Sequence, residues 1–505
     1  PTGSIVVDRG SIGPFRSDSM TRNVEFVVLD TVRKDCFDEY KPHLRSKSDL
    51  SFEQARAASS WSVPSHTSIF TGTLPHSHGV HAERFDADFS FSSLDRDDTF
   101  LGRLPDHRTV GLSANAYMNS FFEFDSLFDA FHDFSIGSHT NESLFPEALT
   151  VEEAKAEVDH DSAAERYLAF LRACLSHDHP GKSVANGAWS LLGDHYRRLP
   201  VPEPVDDGAG IISDRLREVA DENDDEPFFA FVNYMDAHTP LRNLRQYDQD
   251  LHDVPDTWRS TELDKWELNR DGKATTEYTE NYRALYRTAV DYLDRTVSQL
   301  IDDVRAQTDR ETTFVIVSDH GHNLGYPADD EEFHHTATAT EGVLHTPCEV
   351  VNPPDGYPET EHRYFSHLDL GELVVRLAHG EEYDDRFGRD RVAAETVGLL
   401  GTGDGTWNRE FTDDEYAYWN RMIRCVYDGD TKYQWNSLDE SYAYELDPDT
   451  PSWQSQRGAE VDVPPFATEQ FDVPIQTYKD RAAAAEQSME FDTAVESRLE
   501  ELGYL

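Results

Sequence analysis

Three runs of apolar residues constrain this chain more than any other feature. Val24–Leu29, Phe228–Val232 and Phe314–Val317 are nearly continuous rather than alternating, which is the pattern of strands buried on both faces of a parallel sheet. Each run stops in polar chemistry: Asp30-Thr31, then Asn233-Tyr234-Met235-Asp236-Ala237-His238, then Ser318-Asp319-His320. In open α/β sheets, ligands sit beyond the carboxyl ends of the strands. One Asp after a strand is commonly only a cap, but three such ends, two of them with an Asp/His pair, point to a site. Apolar residues also recur at helical spacing from Tyr286 through Leu293 and Leu300 to Val304. That helix leads into the third run, as in a βαβ unit.

The remaining segments set the expected organisation. Residues 151–176 and 209–221 read as helices, and the Pro- and Gly-containing stretch 177–208 as part of a helical insertion spanning about 140–225. The character changes near residue 395. Val426 to Trp435 reads as a hairpin turning at Gly429. The expected domains are a flexible leader (1–19), a catalytic α/β domain (20–395) and a small C-terminal α+β subdomain (396–505), closed by the amphipathic segment Val495–Tyr504. There is no internal repeat.

Charge narrows the partners. Asp and Glu number 98 against 45 Lys and Arg, a formal net charge of −53, spread along the whole chain. An acidic partner surface is one reading. Adaptation to molar salt is favoured, because screening then shortens to about 3 Å and self-repulsion becomes tolerable. No basic face is available for nucleic acid. Cys36, Cys174, Cys348 and Cys425 are widely spaced and read as free buried thiols in a reducing compartment. No apolar run reaches the roughly 18 residues a membrane span needs. With no basic-then-apolar start, a cytoplasmic location in a high-salt cell is expected.

Residues 61–72 read Trp-Ser-Val-Pro-Ser-His-Thr-Ser-Ile-Phe-Thr-Gly. Pro64 suits a first helical turn and Gly72 a stop. Ser62 then stands at a helix N-terminus, where free N–H groups and the dipole favour an anion. By itself this is equally an N-cap serine. The segment resembles the nucleophile signature of the sulfatase family in Ser62-Val63-Pro64-Ser65-His66 and Thr71-Gly72. Asn23 to Arg33 resembles that family's first strand and metal-binding start, Ser318 to Gly325 its second metal motif, and Asn233 to Pro240 its substrate-histidine loop. Ser113-Ala114-Asn115 and the last seven residues resemble acidic haloarchaeal members. The motifs fall in the family's order from about residue 20 onward.

The resemblance implies an alkaline-phosphatase-like α/β fold: a central mixed, mostly parallel sheet flanked by helices. It implies one divalent cation (Ca, Mg, Mn or Zn, with Ca or Mn favoured) on Asp30, Asp319, His320 and Ser62, hard oxygen ligands suiting such an ion. Ser62 matches the nucleophile and His238 a substrate-binding histidine and general acid. His335 and His66 join them as expected catalytic residues, and His334 and Arg33 as expected substrate contacts. No other cofactor is implied. His322 occupies a position often held by Glu. The chain departs from the family at Thr31, where a second Asp is common, and lacks a match to its Gly-Lys segment. At His66, the enzyme that converts Cys or Ser to formylglycine reads Arg. The implied function is hydrolysis of a sulfate ester, on a small anionic ester or sulfated glycan. The alternatives are phosphomonoester or phosphodiester hydrolysis or headgroup transfer by an unmodified Ser62, or a non-catalytic binding member. Nothing in the sequence sets the oligomeric state.

Overall fold

The computed structural model describes residues 21–81, 90–135, 144–145, 148–149, 151, 163–196, 198–223, 225–335, 337–398 and 411–483. The expected leader and the segment Val495–Tyr504 lie outside them, as do residues 152–162 of the first expected helix.

An eight-stranded sheet runs in the order Thr360–Ser366, Leu50–Arg56, Cys348–Val351, Thr312–Val317, Asn23–Leu29, Phe228–Tyr234, Arg108–Ser113, Ala130–Asp133. Only Cys348–Val351 is antiparallel to its neighbours. The three apolar runs are adjacent strands at the centre. Val27 pairs in parallel with both Val232 and Ile316, so Asp30, the 235–238 loop and Ser318-Asp319 leave the same edge. All seven residues of Asn23–Leu29 are buried, the reason its pattern is continuous.

Helices cover both faces of the sheet. Thr276–Gln307 is one 32-residue helix with Leu285, Leu293, Leu300 and Val304 buried along one stripe. Ala209–Glu222 buries Ile212, Leu216 and Val219, so it belongs to this layer and not to the insertion expected to reach residue 225. The helices Ala163–Ser176 and Pro180–Tyr196 instead expose leucines, among them Leu175, Leu191 and Leu192.

A second sheet of five antiparallel strands forms the C-terminal subdomain. Its first strand, Arg391–Thr396, pairs with Ile423–Asp428 and straddles the expected boundary at 395. The hairpin is present: Asp428 pairs with Thr431 across Gly429-Asp430, and Gly429 takes φ +54°, as such a two-residue turn requires. Buried Glu341 ties the two sheets together. It accepts from Tyr427 Oη at 2.6 Å and pairs with Lys432 at 3.2 Å and Arg56 at 3.1 Å. Beside it, the carbonyls of Gly342 and Val343 accept from the amides of His322 and Gly321 at 3.0 and 2.7 Å. A Cβ at Gly321 would stand 2.2 Å from the Gly342 oxygen. Glycine is therefore needed for this close approach, which props the Asp319–His322 loop against the subdomain interface.

Candidate active site

The helix Ser62–Thr71 follows extended Trp61 and stops at Gly72, which takes φ +68°. Ser62 is fully buried at its first turn, and its hydroxyl faces the sheet edge. Oγ donates to Asp30 Oδ2 at 3.2 Å, accepts from Asn115 Nδ2 at 3.1 Å and lies 3.4 Å from His320 Nε2. Ser65 Oγ donates to the Asp319 carbonyl at 2.6 Å, fixing the helix to the third strand end. An amide-bonded side chain next to a helix start would be a cap; one turned onto a carboxylate is positioned for chemistry.

Asp30, Asp319 and His320 are fully buried, and one ligand atom from each lies within 4.8 Å of the others. His320 Nδ1 donates to the Gly321 carbonyl at 2.9 Å, which leaves Nε2 as a lone pair. That lone pair faces Asp319 Oδ2 at 3.3 Å. Asp30 Oδ1 and Asp319 Oδ2 are buried without a hydrogen-bond donor. Burial, and then the Asp319 charge, raises the Asp30 carboxyl to about 8. Burial likewise raises Asp319 to about 7. Two orphaned carboxylate oxygens and an inward imidazole lone pair are electrostatically unbalanced alone, and a divalent cation satisfies all three. The donor set fits the group that the sequence implied.

Beyond His320 the histidines stand in a rank. Ring centroids are 4.5 Å apart for His320 and His335, 5.3 Å for His335 and His238, and 5.4 Å for both His335–His322 and His322–His334. Tyr282 Oη lies 2.7 Å from His322 Nε2. Burial pulls the imidazoles of His322 and His335 well down and that of His334 to about 3, so these three are neutral. His334 takes φ +63°, in the left-handed region that non-glycine residues adopt infrequently.

The remaining expected site residues are placed differently. The His66 ring lies under Ser62: Nδ1 donates to the Ser62 carbonyl at 2.8 Å and lies 3.4 Å from Asp319 Oδ2. It supports these residues from behind. Arg33, expected to contact substrate, is committed elsewhere. It forks onto both Asp35 oxygens at 2.9 and 2.8 Å and donates to Asp329 Oδ2 at 2.8 Å and the His322 carbonyl at 3.0 Å. Thr31 occupies φ +62° with Oγ1 bonded to the Asp30 carbonyl at 2.6 Å, so its side chain does not replace the missing Asp. The sequence reading did not assign Asn115, whose Nδ2 also bonds Asp30 Oδ2 at 2.6 Å. Its signal was a polar residue just past the end of a fourth parallel strand.

A parallel-sheet edge with a buried serine, two carboxylates and a histidine cluster defines a hydrolase of the alkaline-phosphatase-like class. The Sulfatase family model matches residues 22–380, and the chain belongs to that family. The fold is shared with the phosphonate monoester hydrolase of Silicibacter pomeroyi (15% identity, 84% of this chain and 89% of that one, TM-score 0.54). It is also shared with BT1596, a 2-O GAG sulfatase (12%, 84% and 85%, 0.52), and with the phosphonate monoester hydrolase of Agrobacterium radiobacter (16%, 84% and 89%, 0.51). No curated protein sequence matches the chain.

Proposed function

We propose that the chain hydrolyses an anionic ester with residue 62 as the nucleophile: a sulfate ester of a small molecule or glycan if Ser62 is converted to formylglycine, a phosphate ester if it remains a serine. The supporting observation is the Ser62 hydroxyl itself, held by Asp30 and Asn115 beside His320. Its proton points at Asp30, and the Asn115 amide steadies the oxygen. The helix N-terminus favours the substrate anion. Held by Asp30, Asp319, His320 and the Ser62 oxygen, a divalent cation would neutralise the carboxylates and withdraw charge from the attacked ester. His238 is the proposed donor of a proton to the leaving oxygen, with the neutral His335 ring 5.3 Å from it. Two classes of anionic ester compete for the site, sulfur and phosphorus esters.

His66 favours the phosphorus reading. His66 stands where the converting enzyme reads Arg, which disfavours conversion of Ser62. A serine phosphoester is readily hydrolysed by in-line water, whereas a serine sulfoester has no easy exit. Mass spectrometry of the Ser62 peptide, with 4-nitrophenyl sulfate and phosphate turnover in molar KCl, tests both. A loss of about two daltons, the two hydrogens removed on oxidation to formylglycine, selects sulfate. An unmodified peptide with phosphate turnover selects the alternative. Absence of either activity, with Ser62→Ala indistinguishable from wild type, overturns the enzyme reading. The acidic surface is read as adaptation to a high-salt cytoplasm of haloarchaeal type.

A further inference from the structure

Lys265 stands at the far end of the histidine rank from Ser62. It opens the short helix Lys265–Asn269, and that helix is clamped to the strand carrying His334: Asn269 Nδ2 donates to the Phe333 carbonyl at 3.1 Å, and the Phe333 amide donates back to Asn269 Oδ1 at 2.7 Å. Trp266 anchors the other side, 5.4 Å from Trp419 and 5.0 Å from Phe411. The position of Lys265 beside His334 is thus built, not incidental. Its ammonium lies 5.4 Å over the Trp266 ring, and the neighbouring Asp264 carboxylate acts on it through its charge. In a chain with 98 acids and 45 basic residues, a half-buried lysine that closes no ion pair among the described residues stands out. Desolvation lowers it to about 8, and its charge opposes protonation of His334. It is still mostly charged at neutral pH.

With Arg33 saturated by Asp35 and Asp329, Lys265 supplies a positive charge on the His334 side of the site that, among the described residues, no ion pair consumes. The rings of His335, His322 and His334 separate it from His320 and Ser62, so it does not reach the ester under attack. We propose that Lys265 is a specificity residue that recognises a second anionic group, a carboxylate, sulfate or phosphate, on the alcohol side of the substrate. The inference rests on the hydrolase reading above. A charge-assisted contact at a partly desolvated site is worth about tenfold or more in affinity.

The test compares 4-nitrophenyl phosphate and sulfate with their 3-carboxy-4-nitrophenyl counterparts. Wild type prefers the carboxylated esters in kcat/KM; Lys265→Gln loses that preference about tenfold, and Lys265→Arg restores most of it. An unchanged preference in Lys265→Gln, or no rescue by Arg, overturns the proposal. Calorimetric binding of benzene-1,3-disulfonate against benzenesulfonate separates this from failure of the hydrolase reading. Even without turnover, the disulfonate binds Lys265→Gln about tenfold more weakly relative to the monosulfonate. Equal loss for both ligands refutes the assignment. Thermal melts of each variant at the wild-type midpoint establish that the effect is not misfolding.

Discussion

Cation binding should be steeply pH-dependent, with a slope that the two buried carboxyls set. Asp30 is raised from 3.8 to about 8 and Asp319 from 3.8 to about 7, burial being the largest cause in both. In the cation-free protein, folded-state values above the unfolded ones mean that the folded state holds extra protons. That contribution favours folding at low pH and is lost as pH rises from about 4 toward about 8. A cation needs both groups ionised, so binding expels their protons. At about pH 6, Asp30 is protonated by about a hundredfold and Asp319 by about tenfold. Apparent affinity then falls about a thousandfold below its alkaline limit, about 4 kcal/mol. The slope approaches about two decades per pH unit below pH 7 and about one between 7 and 8. Chelator competition from about pH 5.5 to about 9, at fixed molar KCl, measures it. Asp319→Asn should bind more weakly and lose one proton from the slope. A flat affinity profile in wild type, or an unchanged slope in the variant, would refute the assignment of these carboxylates as shared ligands.

Three further outcomes follow from the same geometry. Glu341→Gln leaves buried Arg56 and Lys432 without their counter-charge, and denaturant melts should show about 3–5 kcal/mol lost; a near-wild-type midpoint contradicts the network's role. Asn115→Leu removes donors to both Asp30 and Ser62, and kcat should fall about a hundredfold while metal content per chain stays near wild type; metal loss would instead make Asn115 a structural support of the cation site. At a net charge of −53, the melting midpoint should rise steeply from about 0.1 M to about 3 M KCl, and a flat series removes the salt-adaptation reading.

Local pattern carried much of this protein. Both faces of Asn23–Leu29, Phe228–Tyr234 and Thr312–Val317 are covered, so burial is written as unbroken apolar runs, and the parallel register makes their polar ends converge. Pro64 and Gly72 likewise bracket the Ser62 helix because φ restriction and left-handed permission are properties of single residues. These signals are short-range, and they were sufficient for the sheet centre, the serine helix and the C-terminal hairpin. What the sequence could not display is which side chains meet across long separations. Asn115 reaches Asp30 from 85 residues away only because its strand takes the next place in the sheet beyond Phe228–Tyr234. Arg33 looks available beside Asp30, yet the fold delivers Asp329, 296 residues later, to consume its charge. Lys265 has no motif around it; the Asn269–Phe333 clamp and the packing of Trp266 set it beside His334. Periodicity reports how deeply a residue is buried, whereas the partner that neutralises a buried charge is chosen by strand order, register and loop path, and those exist only in the folded chain.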